Sequence, residues 1–184
     1  MAVVISLLRG VNVGGQRIKM DALCAIYKSL KLEEPRTYVQ SGNVLFRTKE
    51  KNLKPLREKI SAAIERKAGF RPEVMLRTPE EFRRAIAANP FAGRPGLDPR
   101  KLHISFLADE PIPAAQKNLL AFKSGPEELH LIGHELYIYF PNGAGQSKLP
   151  WSSLDKHLGT SGTARNWNSV TKMLEMAEEM EAGG

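Results

Sequence analysis

The chain has 184 residues, of which 42% are hydrophobic, so it can bury a core as one large domain or two small ones. No apolar run approaches the roughly 20 residues that cross a bilayer, and the short apolar run near the N-terminus lacks the basic segment typical of a signal peptide. The single cysteine excludes an intrachain disulfide and a cysteine-based zinc site, so we expect a cytoplasmic protein with no membrane partner.

The positive charge is concentrated in the first part of the chain. Residues 1–77 hold 16 Lys and Arg against 7 Asp and Glu, a net charge of +9. Residues 78–184 hold 11 against 13, a net charge of −2. This imbalance is expected of an anion-binding surface on the first part, and equally of solvated helix faces that keep the protein soluble.

The chain opens with an apolar run at residues 3–8, typical of a central strand buried on both faces. A polar, glycine-rich loop follows, and an apolar helical stripe then starts at Met20. Cys24 lies on that stripe, so we predict a buried thiol rather than a reactive one. Residues 37–40 and 43–46 read as two strands around a turn, because Gly42 can supply the positive φ of a tight hairpin.

A second helix and a further strand complete the first part of the chain. Asn52 is a suitable N-cap, and Gly69 ends the helical stripe that follows it. Residues 72–77 predict an edge strand, where the missing N–H of Pro72 is tolerated. The order β-α-β-β-α-β is that of a ferredoxin-like, split-βαβ unit.

This topology brings two polar loops to the same edge of the predicted sheet. A right-handed crossover makes the first two strands parallel, with the third strand inserted between them. The end of the first strand then lies beside the hairpin turn. The residues that we expect to meet there are Arg9, Gly10, Asn12, Gly14, Gly15 and Lys19 from the first loop, and Gln40, Ser41 and Asn43 from the turn.

Such a convergence favours an anion site. Backbone N–H groups of a loop between a strand and a helix can hold an anion, and the glycines allow a ligand to approach closely. Arg9 offers a planar fork to a phosphate or carboxylate, and Lys19 offers a point charge. The loop matches neither GxxxxGK[ST] nor GxGxxG, and the alternative is that its glycines serve only a compact turn.

The second half repeats the order β-α-β-β. A strong helix start at Thr78 is followed by a loop or linker over residues 91–100. The further predicted elements are strands at 101–107, 127–132 and 135–140, and helices at 113–122, within 148–158, and from 165 to about 181. We therefore predict an α+β protein of two ferredoxin-like subdomains with antiparallel sheets, residues 1–77 and 78–184, with helices at the C-terminal end.

A second candidate for anion binding lies at the predicted start of the last helix. Arg165 and Asn166 fall where backbone N–H groups are unpaired and the helix dipole favours an anion. The alternative is structural, with Trp167 in the core and Asn166 or Asn168 capping the helix.

Three motifs resemble the bacterial DUF1697 family, whose function is unknown. They are LRGVNVGG followed by Lys19-Met20, then TYVQSGNV, and finally RNWNSV near the C-terminus. Ser169 stands where the family pattern usually has threonine, which retains the hydroxyl. The resemblance covers the chain and implies two ferredoxin-like subdomains with a helical C-terminal part, but no catalytic residue can be carried over.

The residues favour a binding module over an enzyme. The sequence shows no pairing of a nucleophile with a base, and it lacks the RNP1 pattern of RNA-recognition domains. The four histidines lack HExxH spacing, so we expect no metal. We also expect no cofactor. One weakly supported exception is His134 with Asp109 and Glu110, which the topology could bring to one sheet edge as ligands of a metal. We predict an anion-binding module for nucleic acid or a phosphorylated ligand; the alternative is an enzyme acting on a phosphorylated or carboxylated small molecule. The sequence does not indicate the oligomeric state.

Overall fold

The computed structural model describes residues 1–184 and contains two sets of four strands with interspersed helices. The strands are β1 (Ala2–Arg9), β2 (Glu33–Thr37), β3 (Asn43–Thr48), β4 (Glu73–Arg77), β5 (Leu102–Leu107), β6 (Glu128–Ile132), β7 (Glu135–Tyr139) and β8 (Gly162–Asn166). The α-helices are α1 (Met20–Ser29), α2 (Leu53–Ala68), α3 (Pro79–Ala87), α4 (Ala115–Ala121), α5 (Trp151–Leu158) and α6 (Trp167–Ala182). None of these helices combines the length and apolar character that a bilayer crossing requires.

The first four strands form one antiparallel sheet with the order β2-β3-β1-β4. The position of β3 between β1 and β2 is that of a split βαβ unit. Side chains of α1 and α2 pack against the sheet in an apolar cluster that includes Leu8, Tyr27, Phe46 and Ile60. The fold predicted for the first half is therefore confirmed.

The last four strands form a second sheet with the same topology, in the order β6-β7-β5-β8. Its apolar cluster draws on α4 and α5 as well as on the strands, and includes Leu107, Ile138 and Leu154. The predicted α+β fold with two similar antiparallel subdomains is confirmed.

The central strands of the two sheets match position by position. The backbone N–H of Leu8 donates to the carbonyl of Gly42 at 2.8 Å, and that of Leu107 donates to the carbonyl of His134 at 3.0 Å. In both sheets, a residue at the end of the first strand is thus tied to the turn between the second and third strands. Each sheet edge is held by the same backbone hydrogen bond.

A buried arginine occupies the same register in both sheets. Arg77 of β4 lies opposite Ile5, and Arg165 of β8 lies opposite Ile104, which is the equivalent position of β5. Both arginines are buried, and each donates to the backbone carbonyl of the residue before it, at 3.1 and 3.0 Å. The repeat therefore extends from topology to individual side chains.

The chain forms two compact units, and the first is built from two separate stretches. Met1–Arg83 and Met173–Gly184 form the first unit, and Arg84–Lys172 forms the second. The last turns of α6 thus belong to the first unit. The predicted domains, residues 1–77 and 78–184, remain a prediction.

Two arginines of the first unit bind the last part of α6. The Arg83 guanidinium lies 2.9 Å from a carboxylate oxygen of Glu178 and 2.6 Å from one of Glu181. The buried Arg47 side chain donates a hydrogen bond to the carbonyl of Met180. These contacts join residues that are 133 and 95 or more positions apart in the chain.

The helix boundaries follow the predicted capping chemistry. The side chain of Asn52 accepts a hydrogen bond from the backbone of Lys54 at 3.1 Å, and Gly69 ends α2 with φ 79°. Thr78 and Glu81 form a reciprocal capping box at the start of α3, with bonds of 2.7 and 3.2 Å.

The second strand lies earlier than predicted. Residues 37–40 were expected to be a strand, but β2 is Glu33–Thr37, and residues 38–42 form the turn. The prediction failed because β2 is a polar edge strand that contains Pro35 and has no apolar alternation to reveal it. Val39, at φ 50°, departs from strand geometry altogether.

The start of the last helix was also placed wrongly. Arg165 and Asn166 belong to β8, and α6 starts at Trp167. β8 was missed because Gly162–Asn166 carries no large apolar side chain, so only its pairing with β5 identifies it as a strand. On the following helix, Val170, Met173 and Ala177 are fully buried.

Candidate functional site

The two polar loops that we expected to converge do meet at one edge of the first sheet. Besides the hydrogen bond from Leu8 to Gly42, the side chain of Asn12 donates to the carbonyl of Gln40 at 2.9 Å. One loop, residues 10–19, follows β1, and the other, residues 38–42, joins β2 to β3. We call this surface the first-sheet edge.

Asn12 holds the longer loop in shape. Its backbone is left-handed, with φ 58°, a conformation that asparagine tolerates better than most residues. Its side-chain oxygen accepts from the backbone N–H of Ile18 at 3.0 Å, while its amide nitrogen donates to Gln40. Both ends of the Asn12 side chain therefore link backbone segments of the edge.

Asn43 plays the matching part in the shorter loop. It is fully buried and donates to the carbonyl of Tyr38 at 3.1 Å and to the hydroxyl of Ser41 at 3.0 Å. Gly42 beside it adopts φ 71° and lies so close to Leu8 that an added Cβ would stand 2.9 Å from the Leu8 Cβ. Asn43 thus positions the turn, and Gln40 and Ser41 are the exposed polar side chains there.

The glycines at the tip of the first loop are exposed. Gly14 and Gly15 have φ 59° and 91°, and a Cβ added at either one would meet no other atom within 4 Å. Their positive φ serves the tight turn between Val13 and Gln16, where the Gln16 N–H donates to the Val13 carbonyl at 3.2 Å. Gly10, at φ 80°, sits closer to the sheet, with the Gln16 side chain 3.3 Å from its Cβ position.

The cations of the edge differ in whether they have an acidic partner. Arg9 lies opposite Glu73 in the sheet, and its guanidinium is 3.4 Å from the Glu73 carboxylate. Lys19 and Arg17 are exposed and have no carboxylate within ion-pair distance. Sequence reasoning selected Arg9 and Lys19 but missed Arg17, although its place in the same loop was a sufficient signal.

The second predicted candidate is built into the second unit. Arg165 donates to the hydroxyl of Thr163 at 2.6 Å, and burial lowers the pKa of its guanidinium to about 10, so it stays charged at neutral pH. The Asn166 side chain donates to the carbonyl of Arg100 at 2.7 Å and accepts from the backbone of Asn168 at 3.0 Å. Asn166 therefore caps α6, as the structural alternative predicted, whereas Trp167 is half-buried and not in the core.

The thiol of Cys24 has an environment that does not promote reactivity. Burial raises its pKa, and its sulfur lies 3.6 Å from the carbonyl oxygen of Pro35. A raised pKa reduces the thiolate fraction at neutral pH. The structure thus keeps Cys24 as a packing residue, half-buried rather than fully buried.

The chain is similar to known proteins whose function is not described. The model of a family described as a protein of unknown function, DUF1697, matches residues 1–137. A solved structure of a conserved bacterial protein from Streptococcus pneumoniae is 22% identical, covers 97% of this chain and 99% of that one, and superposes with a TM-score of 0.74. No curated protein matches the chain. At this identity, the structural likeness concerns the fold alone.

Proposed function

The chain belongs to the DUF1697 family, and from the geometry of its own residues we propose that it is an anion-binding module. The ligand is a nucleic acid or a phosphorylated molecule that docks at the first-sheet edge. The observation that carries this proposal is the pair Arg17 and Lys19, two exposed cations without an acidic partner beside the junction of two polar loops.

Charge and backbone geometry support the same site. Residues 1–77 carry a net charge of +9, which attracts anions to this unit before any specific contact forms. Gly14 and Gly15 expose backbone without side chains in the way, so a phosphate can approach closely. Ser41, exposed on the neighbouring turn, offers a hydroxyl to the same ligand.

We expect Arg9 to contribute less than the other two cations. Its interaction with Glu73 must weaken before it can bind a ligand with full charge. Arg165 and Asn166 stay in the proposal only as a separate site, since their side chains already bind Thr163 and backbone atoms.

The test is titration of inorganic phosphate and of a labelled oligonucleotide into the wild type, Arg17→Ala and Lys19→Ala. Loss of one charge-assisted contact should weaken binding roughly tenfold to hundredfold. Lys51→Ala is the matched control, because Lys51 is also exposed and without an ionic partner, and it follows the end of β3 that lies away from the turn 38–42.

Salt dependence separates the two ligand classes. Binding of a nucleic acid should weaken steeply between two salt concentrations because counterions are released, whereas a small phosphorylated ligand should respond far less. Equal affinity in the wild type, Arg17→Ala and Lys19→Ala would contradict the proposed site. The enzyme alternative would use the same cations and stays a hypothesis.

A further inference from the structure

A groove of about 560 Å³ runs along α1 beside the end of α2 in the first unit. Its size falls within the range of small-molecule sites. The apolar part of its lining comes from Ile18, Ala22, Ala25, Ile26 and Ala68. Ser29, the last residue of α1, also lines it, so the groove follows the helix to its C-terminal end.

The groove exists because α1 presents short side chains on one face. Leu23 and Tyr27 are fully buried in the apolar cluster against the sheet. Ala22, Ala25 and Ser29 are exposed instead, and they leave space that longer side chains would fill. The groove is therefore a feature of this chain's residues and not of the fold alone.

Cations cluster at one end of the groove. Arg17 and Lys19 precede α1, and Lys67 lies in the last turn of α2, which the split-βαβ topology places beside the start of α1. None of the three has a carboxylate within ion-pair distance, and no acidic residue lines the groove. Many arginines of this unit, such as Arg71 with Glu65 at 2.7 Å, are paired instead.

We propose that this groove binds an amphiphilic anion, a small molecule with an aliphatic chain and a phosphate or carboxylate head. The inference rests on the proposed function, because Arg17 and Lys19 serve both. The head group binds the cations, and the chain lies on the alanines and Ile26. No aromatic side chain lines the groove, so it lacks the stacking surface that a nucleic-acid base requires.

The experiment compares three probes by calorimetric titration: octyl phosphate below its micelle concentration, inorganic phosphate, and octanol. Octyl phosphate should bind at least tenfold more tightly than inorganic phosphate, since each buried methylene adds affinity. Octanol, which has no charge for the cations, should bind more weakly than octyl phosphate. Lys67→Ala should weaken octyl phosphate binding roughly tenfold or more.

A bulky side chain in the groove should distinguish binding of the ligand's aliphatic chain from binding of its head group. Ala25→Trp should abolish the extra affinity of octyl phosphate while inorganic phosphate binding persists. Ala87→Trp, an exposed helical alanine outside the groove, is the matched control. Ala22→Trp replaces Ala25→Trp if the circular dichroism spectrum of the latter departs from that of the wild type.

The outcomes are distinguishable. If octyl phosphate binds no more tightly than phosphate, the groove inference fails and the proposed function stands. If neither of these ligands binds but the labelled oligonucleotide does, the groove inference again fails alone; if none of the three binds, both fail. Tight binding that survives Ala25→Trp and Ala22→Trp also overturns the inference, as does a dimer of this chain that Ala25→Trp dissociates, because a second copy would then occupy the groove.

Discussion

The two sheets share the same backbone hydrogen bond at the end of their first strand, but the loops beside it carry opposite charge. At the end of β1, the Leu8–Gly42 hydrogen bond stands beside a loop that contains Arg17 and Lys19. At the end of β5, the equivalent bond of Leu107 stands beside a shorter connection that contains Asp109 and Glu110. The shared backbone frame thus positions loops, and the loops decide what each edge can bind.

The loops also differ in what holds them. The loop of the first sheet is held by its own residue Asn12 and by the neighbouring turn. In the second sheet, the backbone of Asp109 donates to the hydroxyl of Thr160 at 3.1 Å, and that of Ile112 donates to the carbonyl of Leu158 at 3.0 Å. The second edge is therefore bound to the last residue of α5 and to the segment that follows it, whereas the first edge leaves its glycine tip exposed.

The largest effect should come from crowding the first turn. Gly42→Ala places a Cβ 2.9 Å from that of Leu8 and 3.2 Å from that of Val11, at φ 71°. The positive φ and the overlap together should cost roughly 2–4 kcal/mol of unfolding free energy. Urea denaturation with an unchanged m-value measures this loss.

Gly133→Ala, in the hairpin turn of the second sheet, is the matched control for the Gly42 change. Its φ is 60°, but the nearest atom to its Cβ is a flexible Glu135 carboxylate oxygen at 3.9 Å. It should cost about 1 kcal/mol from the backbone conformation alone. Equal losses at the two glycines would show that close packing at the first turn does not matter.

A smaller effect should distinguish the two central strands: β5, unlike β1, should make a pH-dependent contribution to the unfolding free energy through a buried histidine. His103 of β5 occupies the position that Val4 occupies in β1, as the registers of both sheets require. Burial lowers the pKa of His103, so the unfolded chain binds its proton more readily than the folded one. Its contribution to stability is present above the unfolded pKa of about 6.5 and is lost as the pH falls through the folded pKa.

His103→Val should remove this pH dependence. Between pH 7 and 5.5, the unfolding free energy of the wild type should fall by at most about 1.4 kcal/mol per pH unit on account of this group. The variant should lose less over the same interval in urea titrations. Parallel curves for the two proteins would exclude His103 as the source.

The smallest effect should be at the acidic edge. Neutralising it with Asp109→Asn and Glu110→Gln should change phosphate affinity less than about twofold, because neither residue belongs to the proposed site and salt screens exposed charges that do not contact the ligand. A large gain in affinity would locate anion binding at the second edge. It would also reverse the comparison between the two edges.

The fold was predictable because most elements carry their own signals. The buried strands show apolar runs or alternation, and Asn52, Gly69 and Thr78 mark helix ends chemically. β2 and β8 were placed wrongly or missed because neither has an apolar pattern of its own. Both are edge strands that gain strand structure from pairing with a central neighbour.

The candidate site was predictable only in part. Topology was sufficient to bring residues 10–19 and 38–42 together. The ion pair between Arg9 and Glu73 depends on the register between β1 and β4, and the burial of Asn43 depends on the packing of the turn. Lys67 lines the groove from α2, and it lies 48 positions after Lys19 in the chain. Local sequence patterns do not reveal that two such distant residues share a groove.

Because the first unit is built from two separate stretches of the chain, it can be completed only at the end of synthesis on the ribosome. Residues 84–172 must be translated before Met173–Gly184 can complete the first unit, which takes roughly 5–20 s at ordinary elongation rates. During that interval, Arg47 and Arg83 lack the carbonyl and carboxylates that α6 later supplies. The nascent first unit therefore lacks its α6 segment until the whole second sheet has been synthesised.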